Sequence, residues 1–191
     1  MGVPKQRIEL AGKPMLQHVL DVFMRSDLDE VVLVLSPALH WQPKGRRRLR
    51  VVLNPRATEG ISTSVKMGIQ ALDPRTQAVL IGLADKPFLL ESTMKAIIET
   101  YRRSSAEIVV PVHRGKRGNP ILFRRNLFQS LSRLEGDVGA KVLVESGDYE
   151  ISEVPVDDEG VLFDVDTPED LRKARKILSA RSALGKGETG K

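Results

Sequence analysis

Cysteine is absent from the 191 residues, so the chain can form neither a disulfide nor a thiolate metal site, and any metal must rest on oxygen or imidazole ligands. Three histidines are too few to make zinc the expected metal. Aromatic residues make up only 4%, which argues against the stacking platforms of single-stranded nucleic-acid binders. No apolar run reaches the roughly 20 residues of a membrane-spanning helix, and the opening MGVPKQRIEL lacks the hydrophobic core of a signal peptide. The expectation is one soluble, cytoplasmic domain, since 41% hydrophobic content over this length fills a single core. Thirty basic against 25 acidic residues give a net charge of +5, which suits an anionic partner. The shortage of aromatics tips that partner toward small phosphates and away from nucleic acid.

Apolar periodicity alternates along the chain. Leu16, Val19, Leu20 and Phe23 recur at helical spacing, and Glu30 to Leu35 (EVVLVL) follows as a strand buried on both faces. Leu49 to Leu53 and Ala78 to Leu83 read as further strands, with a helix over Ser62 to Leu72 between them. Ser92 is a candidate N-cap for a helix carrying Met94, Ile97, Ile98 and Tyr101, and Glu107 to Val112 is the next strand. Strands separated by helices imply crossover connections and a mostly parallel sheet with helices on both faces. The last third is less regular: short strands over Pro120 to Phe123, Tyr149 to Val156 and Val161 to Val165, and helices over Asn126 to Leu134 and Val138 to Glu145. Thr167, Pro168, Glu169 and Asp170 supply a cap, a first-turn proline and acidic residues for a final helix. The domain is expected to span residues 1–179, with 180–191 a disordered tail lacking apolar period. The basic stretch Lys44 to Arg50 reads as a solvated connection, because the chain re-enters a buried strand directly after it.

Ligands of open α/β sheets sit beyond the carboxyl ends of the strands, so polar residues following apolar runs are the first candidates. Asp85 ends the run AVLIGLA ahead of Lys86 and Pro87; it reads equally as a turn residue or a functional carboxylate. Asp166 closes VLFDV, with Asp164 two residues earlier. Carboxylates from separate strand ends converging on one crevice are the usual oxygen ligands for Mg²⁺ on a nucleotide phosphate chain. Lys5 lies in a Gly/Pro turn before the first helix. Gly60, Ser62 and Ser64 open another helix, either as an ordinary N-cap or as an anion site of backbone N–H groups and hydroxyls. Gly118-Asn119-Pro120 and Gly136-Asp137-Val138-Gly139 are glycine turns that present a polar side chain. His113, near Arg114 and Lys116, reads as an exposed loop histidine. The sequence has no phosphate-binding GxxxxGK[ST] loop.

The segments MGVPK, ELAGKPMLQHV, NPRATEGISTSVKMGI, LADKP, RGNPILF, GDVGAKVL and DVDTPEDL, in this order, resemble the MobA-like nucleotidyltransferases, closest to the molybdenum-cofactor cytidylyltransferase branch. The resemblance implies a Rossmann-like fold of the nucleotide-diphospho-sugar transferase type. It implies transfer of CMP or GMP from CTP or GTP to a phosphate acceptor, expected to be molybdopterin, with release of pyrophosphate. It assigns Lys5 to the triphosphate and Asp85 and Asp166 to Mg²⁺, while Gly60, Ser62 and Ser64 are the nucleotide-binding candidates from their place at a helix start. Asn119, Asp137 and Gly139 fall to the acceptor side. A molybdoenzyme or its chaperone would be the protein partner, and no membrane or nucleic acid is implied. Sugar phosphate, methylerythritol phosphate and cobinamide phosphate are the alternative acceptors; a non-catalytic remnant that binds a cofactor or partner is the alternative of another class. The family opens with a strand and a Leu-Ala-Ala-Gly-x-Ser-x-Arg loop, and the resemblance starts just after it, so that nucleotide-binding loop is expected to be missing. Lys86 stands where cytidylyl members often carry Gln and guanylyl members Met, which leaves the base preference open.

Overall fold

The structure, a computed structural model, describes residues 5–39 and 48–185 and the side chains of residues 6–39 and 48–178. The side chain of Lys5, the basic residues Lys44, Arg46 and Arg47, and residues 186–191 lie outside the described residues. In chain order the elements are β1 (Glu9–Leu10), β2 (Lys13–Pro14), α1 (Met15–Arg25), β3 (Val31–Leu35), β4 (Leu49–Leu53), α2 (Ile61–Gln70), β5 (Ala78–Ile81), α3 (Glu91–Arg103), β6 (Ile108–His113), β7 (Lys116–Arg117), β8 (Ile121–Arg124), α4 (Phe128–Ser132), α5 (Lys141–Glu145), β9 (Ile151–Pro155) and α6 (Pro168–Gly185).

This is an α/β fold with mixed strand pairing. β3 and β4 are parallel, as are β6 and β9, which are joined through crossover connections. β8 lies antiparallel between β5 and β6, because the short β7 excursion returns the chain beside β6 without a crossover helix. Alternation along the β6–β8 pair sends Ile108, Val110, Ile121 and Phe123 toward Leu131 of α4 and Leu143 of α5. Val109 and Leu122 face Ile97 of α3 on the other side. Both faces of this sheet are therefore covered by helices, as the buried apolar strands required.

Local chemistry fixes the helix starts. In α6, Thr167 Oγ1 accepts the N–H of Asp170 at 3.1 Å and the Asp170 carboxylate accepts the N–H of Thr167 at 2.9 Å, a reciprocal capping box with Asp in the third position. The Thr167 hydroxyl and N–H hold the Asp170 carboxyl below its usual range. α6 continues to Gly185, past the loss of apolar period at Ala180. α3 is not capped by Ser92, which lies inside its first turn; the Asp158 carboxylate, arriving from a distant segment, accepts the Leu90 N–H at 2.9 Å and the Thr93 hydroxyl at 2.6 Å.

The expected strand over Val161 to Val165 does not form. Asp158 also accepts the Gly160 N–H at 2.9 Å, which tightens residues 159–161 into a 3₁₀ turn. Gly160 is pressed against the backbone of Phe88, where an added Cβ would lie 2.5 Å from the Phe88 carbonyl. His113 is buried, not exposed, and a ring nitrogen lies 3.0 Å from the Val156 carbonyl. In the basic stretch, Arg48 donates to the carbonyls of Leu28 and Met24, and Arg50 donates to that of Ala71. These two arginines tie the strand to its neighbours.

Candidate functional site

β5 ends at Ile81, and the chain runs on through Gly82 to Asp85 without further pairing, since Pro87 removes a donor. The carbonyl of Asp85 accepts the N–H of Val165 at 3.1 Å. Val165 is anchored in a core with Leu10, Met15, Phe88 and Ala174, so the segments bearing Asp85 and Asp164–Asp166 are held side by side. The pairing here is of backbone, and Asp164 and Asp166 lie on irregular chain, not at the end of the strand expected from the sequence. Capping of α6 falls to Thr167 and Asp170, which leaves Asp166 exposed ahead of the helix and not needed as its cap. Asp164 is engaged otherwise: its Oδ1 lies 2.7 Å from Nζ of Lys86, a residue only 4% exposed.

The start of α2 brings together groups that are distant in sequence. Gly60 has φ +117°, a conformation that L side chains rarely adopt, and an added Cβ would lie 2.3 Å from the carbonyl oxygen of Gly136. That carbonyl accepts the Ser62 N–H at 3.4 Å, and Asp137 Oδ1 accepts the Ile61 N–H at 3.2 Å. The Gly136–Asp137 turn thus satisfies two of the first N–H groups of α2 from outside, so in this conformation they are taken by protein groups. Ser62 is buried. Asn54, fully buried at the end of β4, donates from Nδ2 to Thr63 Oγ1 at 2.9 Å and to Ser64 Oγ at 3.0 Å. Gly139 lies against Ile61, 3.6 Å from its methyl to an added Cβ. Gly60, Ser62 and Ser64 therefore share one corner with Asp137 and Gly139.

Asn119 is half-buried beside the third segment. Its N–H donates to the Val161 carbonyl at 3.0 Å, so its turn abuts the same 158–166 chain that carries Asp164 and Asp166. Ile61, Ser64, Ala84 and Asp85 line one cavity of about 1100 Å³, which runs from the start of α2 to Asp85. Lys5 contributes its backbone to a 3₁₀ turn over Lys5–Arg7 before α1.

A metal would find oxygen donors only. Among the described residues no group of three or more His, Asp or Glu side chains converges on a point. The carboxylates of Asp85 and Asp166, on adjacent segments, are the donor type that suits a divalent cation held by one or two carboxylates, with substrate phosphates and waters completing its shell.

Asn54 and Asp158, both buried and polar, escape sequence inspection, as does the burial of Lys86. Asn54 sits directly after an apolar strand, the same signal that singled out Asp85. Lys86 and Asp158 show their role only through partners distant in the chain.

Residues 1–153 match the MobA-like NTP transferase domain model. The chain belongs to this family. It is accordingly a nucleotidyltransferase by family. Among curated relatives of this MobA-like chain, the Purine catabolism protein PucB of Bacillus subtilis (strain 168) is 28% identical over 190 residues, covering 94% of this chain and 91% of the relative. The Molybdenum cofactor cytidylyltransferase of Escherichia coli (strain K12) is 25% identical over 139 residues, covering 72% and 68%. The 2-C-methyl-D-erythritol 4-phosphate cytidylyltransferase of Alkaliphilus metalliredigens (strain QYMF) is 28% identical over 211 residues, covering 93% and 86%. Among solved structures, Rv0371c of Mycobacterium tuberculosis H37Rv is similar with a TM-score of 0.79 and 29% identity, covering 92% of this chain and 91% of that one. A manganese complex of Rv0371c aligns with a TM-score of 0.76 and 28% identity, covering 92% and 93%. The MobA-like family and its nucleotidyltransferase fold agree with the sequence expectation, while the relatives' names leave the acceptor open.

Proposed function

We propose that this MobA-like protein transfers CMP or GMP from CTP or GTP to the phosphate of molybdopterin, releasing pyrophosphate. The observation that supports this is the Val165 N–H to Asp85 carbonyl hydrogen bond of 3.1 Å, which holds the segments bearing Asp85 and Asp166 side by side, with Asp85 lining a cavity that reaches Ser64. In the transfer, an acceptor phosphate oxygen forms a bond to the α-phosphorus while the bond to the β-phosphate bridging oxygen breaks, and the leaving electron pair departs with pyrophosphate. No covalent enzyme intermediate is required. A phosphate monoester is already largely ionised at neutral pH, so the step needs no strong general base.

Asp85 and Asp166 would hold the divalent cation, Mg²⁺, which neutralises charge developing on the triphosphate. Lys5 would add a positive charge to the same phosphates. Gly60, Ser62 and Ser64 would face the nucleotide once the Gly136–Asp137 turn releases the first N–H groups of α2. Asn119, Asp137 and Gly139 are the acceptor-side groups. The setting is the cytoplasm, where the nucleoside triphosphates are found, and a molybdoenzyme or its chaperone would receive the product.

The test follows pyrophosphate release by the purified protein with CTP or GTP and each acceptor in turn: molybdopterin, methylerythritol phosphate, a sugar phosphate and cobinamide phosphate. Turnover with molybdopterin at least about 10²-fold above the other acceptors is expected, on the scale of a site built to pair with substrate polar groups. Turnover with another acceptor alone would reassign the substrate, and binding without turnover on any acceptor would favour the non-catalytic remnant.

A further inference from the structure

Lys86 follows Asp85 directly, and its side chain is sealed from solvent while the carboxylate it meets is open to it. Nζ lies 2.7 Å from Oδ1 of Asp164; the lysine side chain is 5% exposed and the aspartate's 41%. The Val165 N–H to Asp85 carbonyl bond of 3.1 Å ties the two segments together at this point. Asp85, Lys86, Asp164 and Asp166 therefore share one short stretch of adjoining chain. Three carboxylates against one ammonium leave two negative charges there, the number that one divalent cation neutralises. Yet among the described residues no three acidic side chains are grouped so as to hold a metal. One of the three carboxylates is already committed to a cation, and that cation belongs to the protein. A buried ammonium has no water to take the place of its partner, so freeing Asp164 would leave the desolvation of Lys86 uncompensated. A metal on the other oxygen of Asp164 would lie close to the same ammonium and be repelled by it.

We propose that Lys86 is a positioning residue that withholds the Asp164 carboxylate from the divalent cation, and so selects a cation content with few protein ligands. The inference rests on the reading of Asp85 and Asp166 as the cation's carboxylates. Lys86 does not touch the cation; it acts through Asp164. The consequence is one of metal choice. Mg²⁺ keeps several waters and is satisfied by one or two carboxylates together with substrate phosphates, whereas Ca²⁺ takes six to eight oxygens and gains most from each added carboxylate. Holding Asp164 back disfavours Ca²⁺ and keeps the site dependent on the phosphates of an incoming nucleotide. A third carboxylate set free beside the other two would build a stronger and less discriminating cation site that fills without nucleotide.

The experiment titrates the full 191-residue chain with Mn²⁺ in the absence of nucleotide, follows free Mn²⁺ by its paramagnetic resonance signal, and competes it with Mg²⁺ and with Ca²⁺. Lys86→Met is expected to bind Mn²⁺ at least about 10-fold more tightly, the scale on which groups behind the ligands tune a metal site. Ca²⁺ should gain more than Mg²⁺. Lys86→Gln, which can still donate to Asp164, should show the same gain in smaller measure. Adding Asp164→Asn to Lys86→Met should return both the affinity and the order of metals to those of the unaltered chain. A lysine that only supports the fold would, when replaced, loosen the metal or leave it alone. Unchanged or weaker Mn²⁺ binding in Lys86→Met overturns the proposal, and so does an equal gain for Ca²⁺ and Mg²⁺, because a change of charge alone acts on both alike. Asp85→Asn and Asp166→Asn in the same titration test the underlying assignment. Binding that both leave intact removes that assignment and this inference with it, whereas binding that both weaken and Lys86→Met leaves unchanged overturns the role of Lys86 alone.

Discussion

Nζ of Lys86 lies 2.7 Å from Oδ1 of Asp164, and the lysine is almost sealed from solvent while its partner's side chain is 41% exposed. A buried ammonium that loses its counter-charge keeps its desolvation cost with nothing to offset it. Asp164→Asn is therefore expected to lower stability by about 1–2 kcal/mol, discounted from the fully buried case because water reaches the carboxylate. Lys86→Met, which removes the charge and keeps the length, should cost under about 1 kcal/mol. Urea unfolding of both variants checks this, and an order of stabilities reversed between them would contradict the pairing.

The carboxylates of Asp85 and Asp166 are expected to act as a unit. Each Asp→Asn change should lower pyrophosphate release by at least about 10²-fold, the scale of losing one charge-stabilising group. The double variant should fall little further, because groups serving one ion are non-additive. Losses that multiply, measured over a range of Mg²⁺ and Mn²⁺ concentrations, would assign the two residues to separate tasks.

The corner at the start of α2 makes a third case. Gly60→Ala places a methyl group against the Gly136 carbonyl at a φ of +117°, so a loss of about 2 kcal/mol or more is expected from strain alone. Asp137→Ala removes only the acceptor for the Ile61 N–H and should cost about 1 kcal/mol or less, as for a lost cap. Thermal unfolding compares the two. If Asp137 also serves the acceptor, its variant will raise the acceptor KM beyond what the change in folded fraction explains.

Much of the scaffold was legible because local signals and tertiary structure agree. The run Val31–Leu35 is apolar and β-branched, and it pairs as a strand. The Thr167–Asp170 cap sits where the residues placed it. Val161 to Val165 carries the same apolar signature but forms a turn, because Asp158 and the contact of Gly160 with Phe88 override local propensity. Asp164 and Asp166 reach Asp85 on irregular chain and not at a strand end, whereas the position of Asp85 itself followed from its place after the apolar run of β5. The burial of Lys86 did not, since its partner is remote and nothing in LADKP sets it apart from an exposed lysine.

Acid should reveal a separate local contribution. Arg75 donates to the Asp73 carboxylate from both its side chain and its backbone N–H, and these bonds bring the Asp73 carboxyl down to about 2 from the ordinary value of 3.8. A carboxyl depressed on folding stabilises the folded state fully above its unfolded value, and that contribution disappears as pH falls through the folded value. Asp73→Asn is thus expected to lower Tm at pH 7 and to have a shrinking effect between about pH 4 and pH 2. Calorimetry of both proteins across that interval measures the convergence; a constant difference in Tm would show that the charge is not the cause.

Asp158 holds Leu90, Thr93 and Gly160 with one carboxylate, and Gly160 rests directly on the Phe88 backbone. The chain after Asp85 and the chain before Asp164 are therefore riveted together a few residues from the carboxylates they carry. Asp85 and Asp166 travel as one body. Under the proposed function, movement of the 60–64 and 136–139 turns toward a nucleotide would be movement toward a stationary anvil.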